Sequence, residues 1–135
     1  MLAMRLPVSE RPGTTEPMLK VYLTDAARQD LLDLYQYVQL NDAPGKADYV
    51  LDQLQQLVTS LAELPTRGVV VKELATLGIH EYRELYFKPY RVIYRQLPSG
   101  VYVFLIADGR RNMQSLLQRR LLLGSDVINH EVLKP

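Results

Sequence analysis

The sequence predicts an α+β domain: an N-terminal strand, an antiparallel helical hairpin packed on a mostly antiparallel four-stranded twisted sheet, and a short C-terminal helix. Two observations predict it. Apolar residues recur at helical spacing through two adjacent segments of the first half. A β-branched and aromatic vocabulary with partial alternation then takes over. Helices grouped ahead of a run of strands are the α+β order.

Residues 1–17 hold three prolines and one glycine and show no sustained periodicity, so they read as an irregular extension. They lack the apolar core and cleavage site of a secretory signal. Leu19 to Leu23 is a short β-rich run leading into Thr24, whose hydroxyl suits a helix N-cap, with Asp25 at the positive end of the dipole. Ala27, Leu31, Leu34, Tyr35 and Val38 then form one apolar stripe up to about Leu40. Asn41-Asp42-Ala43 breaks it, and Pro44 suits the first turn of a second helix. That helix carries Ala47, Val50, Leu51, Leu54, Leu57, Val58, Leu61 and Leu64 on one side, and Pro65 ends it.

Val69 to Val71 is β-branched, and strands are expected at 80–87, 90–96 and 101–107. Lys88-Pro89 and Leu97-Pro98-Ser99-Gly100 separate the last three, which makes an antiparallel meander. Asp108-Gly109 ends the final strand. Met113, Leu116, Leu117 and Leu121 follow at helical spacing up to Gly124, and 124–135 is a tail. The working domain therefore spans 18–123.

A chain of 135 residues, 47% of them hydrophobic, has enough apolar material for one core and little room for two. No stretch reaches the ~18 to 20 apolar residues of a membrane helix. With no cysteine, disulfides, thiolate nucleophiles and Cys-based metal sites are excluded. His80 and His130 are too few for a multi-histidine metal centre, and no glycine loop or glycine-flanked serine marks a phosphate cradle or a triad. No cofactor is expected, and a cysteine-free chain fits the reducing cytoplasm.

The net charge of +1 conceals a division. Residues 1–66 carry five Lys/Arg against nine Asp/Glu, whereas 67–120 carry ten against four. Arg83, Arg91 and Arg95 fall on successive strands, with Arg110 and Arg111 just past the last one. Converging at one edge of the sheet, they suit nucleic-acid phosphates or an acidic peptide. Guanidinium is a poor general base, so cleaving RNA calls for another group. His80, Tyr82, Tyr86, Tyr90, Tyr94 and Asp108 are within reach by sequence. The competing reading makes His80 a loop histidine, the tyrosines packing residues, and Arg119-Arg120 the basic last turn of a helix. It also pairs Glu81 and Glu84 with Arg83 or Arg91 in an exposed salt network worth little.

Leu19-Lys20-Val21-Tyr22-Leu23-Thr24, the helical Asp30–Tyr37 segment, the run Tyr82–Arg95 and the run Val101–Leu117 together resemble the RelE/ParE superfamily of toxins from bacterial type II toxin–antitoxin, or plasmid stabilisation, modules. The most specific part is Tyr90-Arg91-Val92-Ile93-Tyr94 followed one hairpin later by Asp108-Gly109-Arg110-Arg111. RelE-like members cut mRNA on the ribosome with a basic sheet face and a C-terminal Tyr or His. ParE-like members poison DNA gyrase and need no nuclease residues.

The resemblance carries Arg83 onto the first basic strand position, Arg91 onto the strand arginine, and Arg111 or Arg110 onto the arginine after the last strand. Leu85 stands at the second basic position, and Leu117, beside Leu116, stands near the C-terminal tyrosine. These departures favour a ParE-like gyrase inhibitor, although Asp108 sits where such toxins often have His. The alternatives are a ribosome-dependent mRNA endonuclease, with Arg83, Arg91, Arg111 and His80 as its catalytic candidates, and an inactive binding module of the same fold.

The resemblance also implies a cognate antitoxin that folds a disordered segment onto the toxin, with contacts expected at Tyr94, Leu116, Leu117 and Leu121. Hetero-oligomerisation with that antitoxin is implied, and a homodimer is compatible. The leucine-rich C-terminal helix leads to the expectation that the toxin alone associates or is poorly soluble.

Overall fold

The β-rich runs pair into one five-stranded sheet in the order β1-β5-β4-β3-β2, as seen in a computed structural model that describes residues 18–122. The expected extension at 1–17 and the tail at 124–135 lie outside the described residues. Along the chain come β1 (Val21–Leu23), α1 (Asp25–Asn41), α2 (Lys46–Ser60), β2 (Val69–Val70), α3 (Lys72–Ala75), β3 (Tyr82–Phe87), β4 (Tyr90–Leu97), β5 (Gly100–Asp108), α4 (Met113–Leu117) and a π-helical turn (Gln118–Leu122). The α+β class and the meander are as expected. The sheet has one more strand, because both short runs join as edges: β1 pairs parallel to β5, and β2 pairs antiparallel to β3.

Local chemistry explains the hairpin. The Thr24 hydroxyl accepts the Ala27 N–H at 3.1 Å, satisfying one orphan donor of α1. Pro44 does not occupy the first turn of α2; it precedes Gly45, whose φ of 86° makes the left-handed entry that a side chain would resist. Ala27, Leu31, Val50, Leu54 and Leu61 from the two helices then pack on Leu85, Val92, Tyr94, Val101, Val103 and Ile106 of the sheet.

The other face of the sheet is covered as well. Tyr82, Ile93, Tyr102, Phe104, Leu105 and Ala107 meet Val71 and Leu74 from around α3, Met113, Leu116 and Leu117 from α4, and Leu121 from the π-helical turn. Two apolar layers thus sandwich the sheet. β5 is buried along nearly its whole length because it lies between them. No helix among the described residues is long and apolar enough to cross a membrane.

Candidate functional site

The register of the meander decides where each arginine points. Lys88-Pro89 forms a two-residue turn, so Phe87 pairs with Tyr90, Tyr86 with Arg91 and Arg83 with Tyr94. Side chains alternate along a strand. Arg91 therefore shares a face with Glu84 and Tyr86, while Arg83 lies on the opposite, hairpin-facing side. The five arginines do not converge on one patch.

Arg91 is buried, at 5% exposure, within the α3 side of the sheet. Its Nε donates to Glu84 Oε1 at 2.6 Å, and its Nη1 and Nη2 donate to the Glu73 carboxylate at 2.9 and 2.8 Å. Glu84 also accepts the Tyr86 hydroxyl at 2.9 Å, and the guanidinium lies 5.7 Å from the Tyr86 ring centroid. The Glu73 hydrogen bonds raise the Arg91 pKa, and Arg91 in turn holds Glu73 below the usual carboxylate range. Glu84 was anticipated as a cross-strand partner, but the network is buried, not exposed. Two carboxylates on one guanidinium leave a net negative cluster. The Arg91 guanidinium is thus tied to two carboxylates of its own chain.

The remaining cations sort by partner. Arg95 lies 5.6 Å from the Tyr82 ring centroid, on the same face as Arg91 and nearer the other end of the strand. Arg110 folds back on Asp108, with Nε to Oδ1 at 2.9 Å, so its charge is locally matched. Arg111 is exposed and forms no ion pair among the described residues. Arg119 and Arg120 form the basic last turn of the C-terminal helical segment as expected; Arg119 donates to Ser115 Oγ at 3.1 Å, and Arg120 pairs with Asp30 at 3.0 Å. Arg83 donates to the Gly68 carbonyl at 2.8 Å and meets no carboxylate.

The proton-transfer candidates fare no better. His80 is exposed in the turn ahead of β3 and forms no hydrogen bond among the described residues. Tyr82, Tyr86, Tyr90 and Tyr94 all have raised pKa values, with burial the leading cause in each. None is tuned toward neutral pH, where a general base works best. The Asp108 carboxyl is lowered by Arg110, which leaves it a weak proton acceptor. No group of three or more metal-ligating side chains occurs among the described residues.

The expected antitoxin contacts need correction too. Tyr94 is fully buried, and its hydroxyl accepts the Gly68 N–H at 2.9 Å. Leu116, Leu117 and Leu121 fill the chain's own second core. These four side chains are buried within the chain itself, whereas Leu122, the next residue of the same leucine run, is exposed. The chemistry that the sequence reading missed is Glu73 on the four-residue α3 and the Arg67-Gly68 stretch that cradles Arg83. Glu73 carried no signal, since four residues cannot show a helical period. Gly68, just ahead of the β-branched run, was the available cue for a close backbone approach.

Comparison with known proteins places this fold. Residues 21–113 match the family described as the ParE toxin of type II toxin-antitoxin system, parDE. A chromosomal ParDE toxin–antitoxin system from P. aeruginosa has a similar chain, with a TM-score of 0.57 and 18% identity, over 67% of this chain and 96% of that one. The toxin–antitoxin complex RelBE2 from Mycobacterium tuberculosis contains another, with a TM-score of 0.48 and 20% identity over 68% of this chain and 92% of that one. No curated protein matches. With the family match running from β1 to the start of α4, this chain belongs to the ParE toxin family of type II toxin–antitoxin systems.

Proposed function

We propose that this toxin acts by binding DNA gyrase and not by cutting messenger RNA, and that a cognate antitoxin protein neutralises it in the cytoplasm. One observation carries the reading: Arg91, on the central strand of the sheet, is held through all three of its nitrogens by Glu73 and Glu84. A nuclease centre needs a cation free to meet a phosphate and a group poised to take a proton. Here Arg91 is neutralised, Arg83 and Arg111 are unpaired but have no proton acceptor beside them among the described residues, the nearby phenols are shifted away from neutral pH, and Leu117 occupies the core near the position of a C-terminal tyrosine. The family match supports the ParE-type target, and the antitoxin partner is supported by the toxin–antitoxin assembly in which the P. aeruginosa relative occurs.

The test is a supercoiling assay with purified gyrase and relaxed plasmid. Added toxin should block supercoiling or trap cleaved DNA, and a folded toxin without effect on either would overturn the proposal.

A further inference from the structure

Aromatic side chains gather at one end of the domain, where the α1–α2 loop meets the β3–β4 turn. Tyr37 and Leu40, on the last turns of α1, are 66% and 84% exposed, and Tyr49 near the start of α2 is 53% exposed. The Tyr49 ring meets Phe87, the last residue of β3, edge to face with centroids 5.9 Å apart. Phe87 and Tyr90 form the cross-strand pair that flanks the Lys88-Pro89 turn. Burial is the leading cause of the raised Tyr90 pKa, with Asp108 and Asp42 next, so the end of α1 and the end of β5 both act on this ring. Single exposed apolar side chains are ordinary on a surface, but rings gathered from separate segments are the composition of a protein interface.

Charges of both signs border the rings. A cleft of about 310 Å³ lies at the C-terminal end of α1, lined by Tyr35, Gln39, Asp42, Asp48 and the loop 43–45. The Tyr35 hydroxyl donates to Asp48 Oδ1 at 2.6 Å. α1 has no basic residue in its last turn, so the partial negative charge of its final carbonyls adds to the two carboxylates. Lys88 stands exposed at the tip of the neighbouring two-residue turn. Neither Asp42 nor Lys88 forms an ion pair among the described residues, whereas Arg110 is matched by Asp108.

A partner carrying one sign of charge would be repelled at either the cleft or the turn. A second copy of this chain brings the opposite charge to each. Under two-fold symmetry every contact is made twice, so the Lys88 turn of one copy meets the cleft of the other while its own cleft receives the other's turn.

We propose that this end of the domain is a self-association surface, in which Lys88 of each copy pairs with Asp42 of the other and the exposed Tyr37, Leu40 and Tyr49 side chains pack between them. The proposal does not depend on which cellular target the toxin has.

Sedimentation equilibrium of the full chain is the test. A dimer is expected at about 100 μM, where an association of micromolar affinity is nearly complete. Lys88→Glu and Asp42→Lys should each raise the dissociation constant about tenfold or more, because each substitution acts twice. Mixed in equal amounts, these two variants should dimerise again, since both contacts then join opposite charges. Tyr37→Ser should weaken the dimer about tenfold without lowering the melting temperature. All three positions are exposed, so the variants keep the fold. A monomer at that concentration overturns the proposal, as does a dimer indifferent to the charge swaps or to Tyr37→Ser. So does a mixture of the two swapped variants that stays monomeric. A monomeric toxin whose Tyr37→Ser variant loses growth inhibition would likewise overturn it and assign the patch to a different protein.

Discussion

Asp30 and Arg120, far apart in sequence, together close the open edge of β5. β1 is only three residues long and covers β5 from Val101 to Val103. Beyond it, Asp30 Oδ2 accepts the Ile106 N–H at 3.0 Å, and Arg120 Nη2 donates to the Phe104 carbonyl at 2.8 Å. The two side chains also pair with each other, Nη1 to Oδ1 at 3.0 Å. A bare strand edge would otherwise leave main-chain groups unsatisfied next to α1. Burial raises the Asp30 pKa even with Arg120 against it, so desolvation outweighs the pair's attraction.

This edge closure predicts unequal single variants. Arg120→Met leaves Asp30 facing an uncompensated, largely desolvated position, and Asp30→Asn keeps an acceptor for Ile106. The first should lower unfolding free energy by about 2–4 kcal/mol and the second by about 1–2 kcal/mol in urea titrations. Equal, negligible effects would show that solvent satisfies this edge unaided.

Arg91→Ala should behave as a folding variant. Removing it strands Glu84, whose side chain is 2% exposed, beside Glu73. A loss of about 3–5 kcal/mol is expected, measured by denaturation. Loss of growth inhibition in that variant would therefore report instability unless the soluble, folded fraction were measured alongside.

Acid should loosen the same network. Arg91 depresses the Glu73 pKa below its ordinary value of 4.5. A depressed folded pKa gives stability that is complete above the unfolded value and disappears as pH falls through the folded one. Unfolding midpoints should thus drop below about pH 4.5, and Glu73→Gln should flatten that part of the profile, to the extent that it is not set by Asp108, whose carboxyl is lowered likewise. An unchanged acid limb in Glu73→Gln would contradict the assignment.

Gly68→Ala should destabilise by about 1–3 kcal/mol, because the new methyl meets backbone that cannot swing aside. Tyr94→Phe should lose a similar amount, since the Gly68 N–H is left without its acceptor. Thermal or urea melts of the two variants and their double check the coupling. Strictly additive losses would mean that the two residues do not act through one contact.

Much of this architecture was open to sequence reasoning. Thr24 announced α1 through cap chemistry, and the leucine spacing of α2 survives in Val50 and Leu54 against the sheet. The arginine error had a cause that was also visible. Once Lys88-Pro89 is taken as a two-residue turn, parity puts Arg91 with Glu84 and sends Arg83 to the other face. What no periodicity could reveal was long-range: Glu73 reaching Arg91 from α3, Asp30 meeting Arg120, and the C-terminal leucines covering the second face of the sheet. Those contacts depend on how layers stack, and a single strand or helix carries no record of its neighbour across the core.

The proposal that the toxin does not cut RNA is tested most directly by primer extension on message from a purified translation system given folded toxin. Full-length message is expected at toxin levels that arrest growth. Defined breaks within ribosome-bound codons, lost on Arg111→Ala but restored by Arg111→Lys, would contradict it.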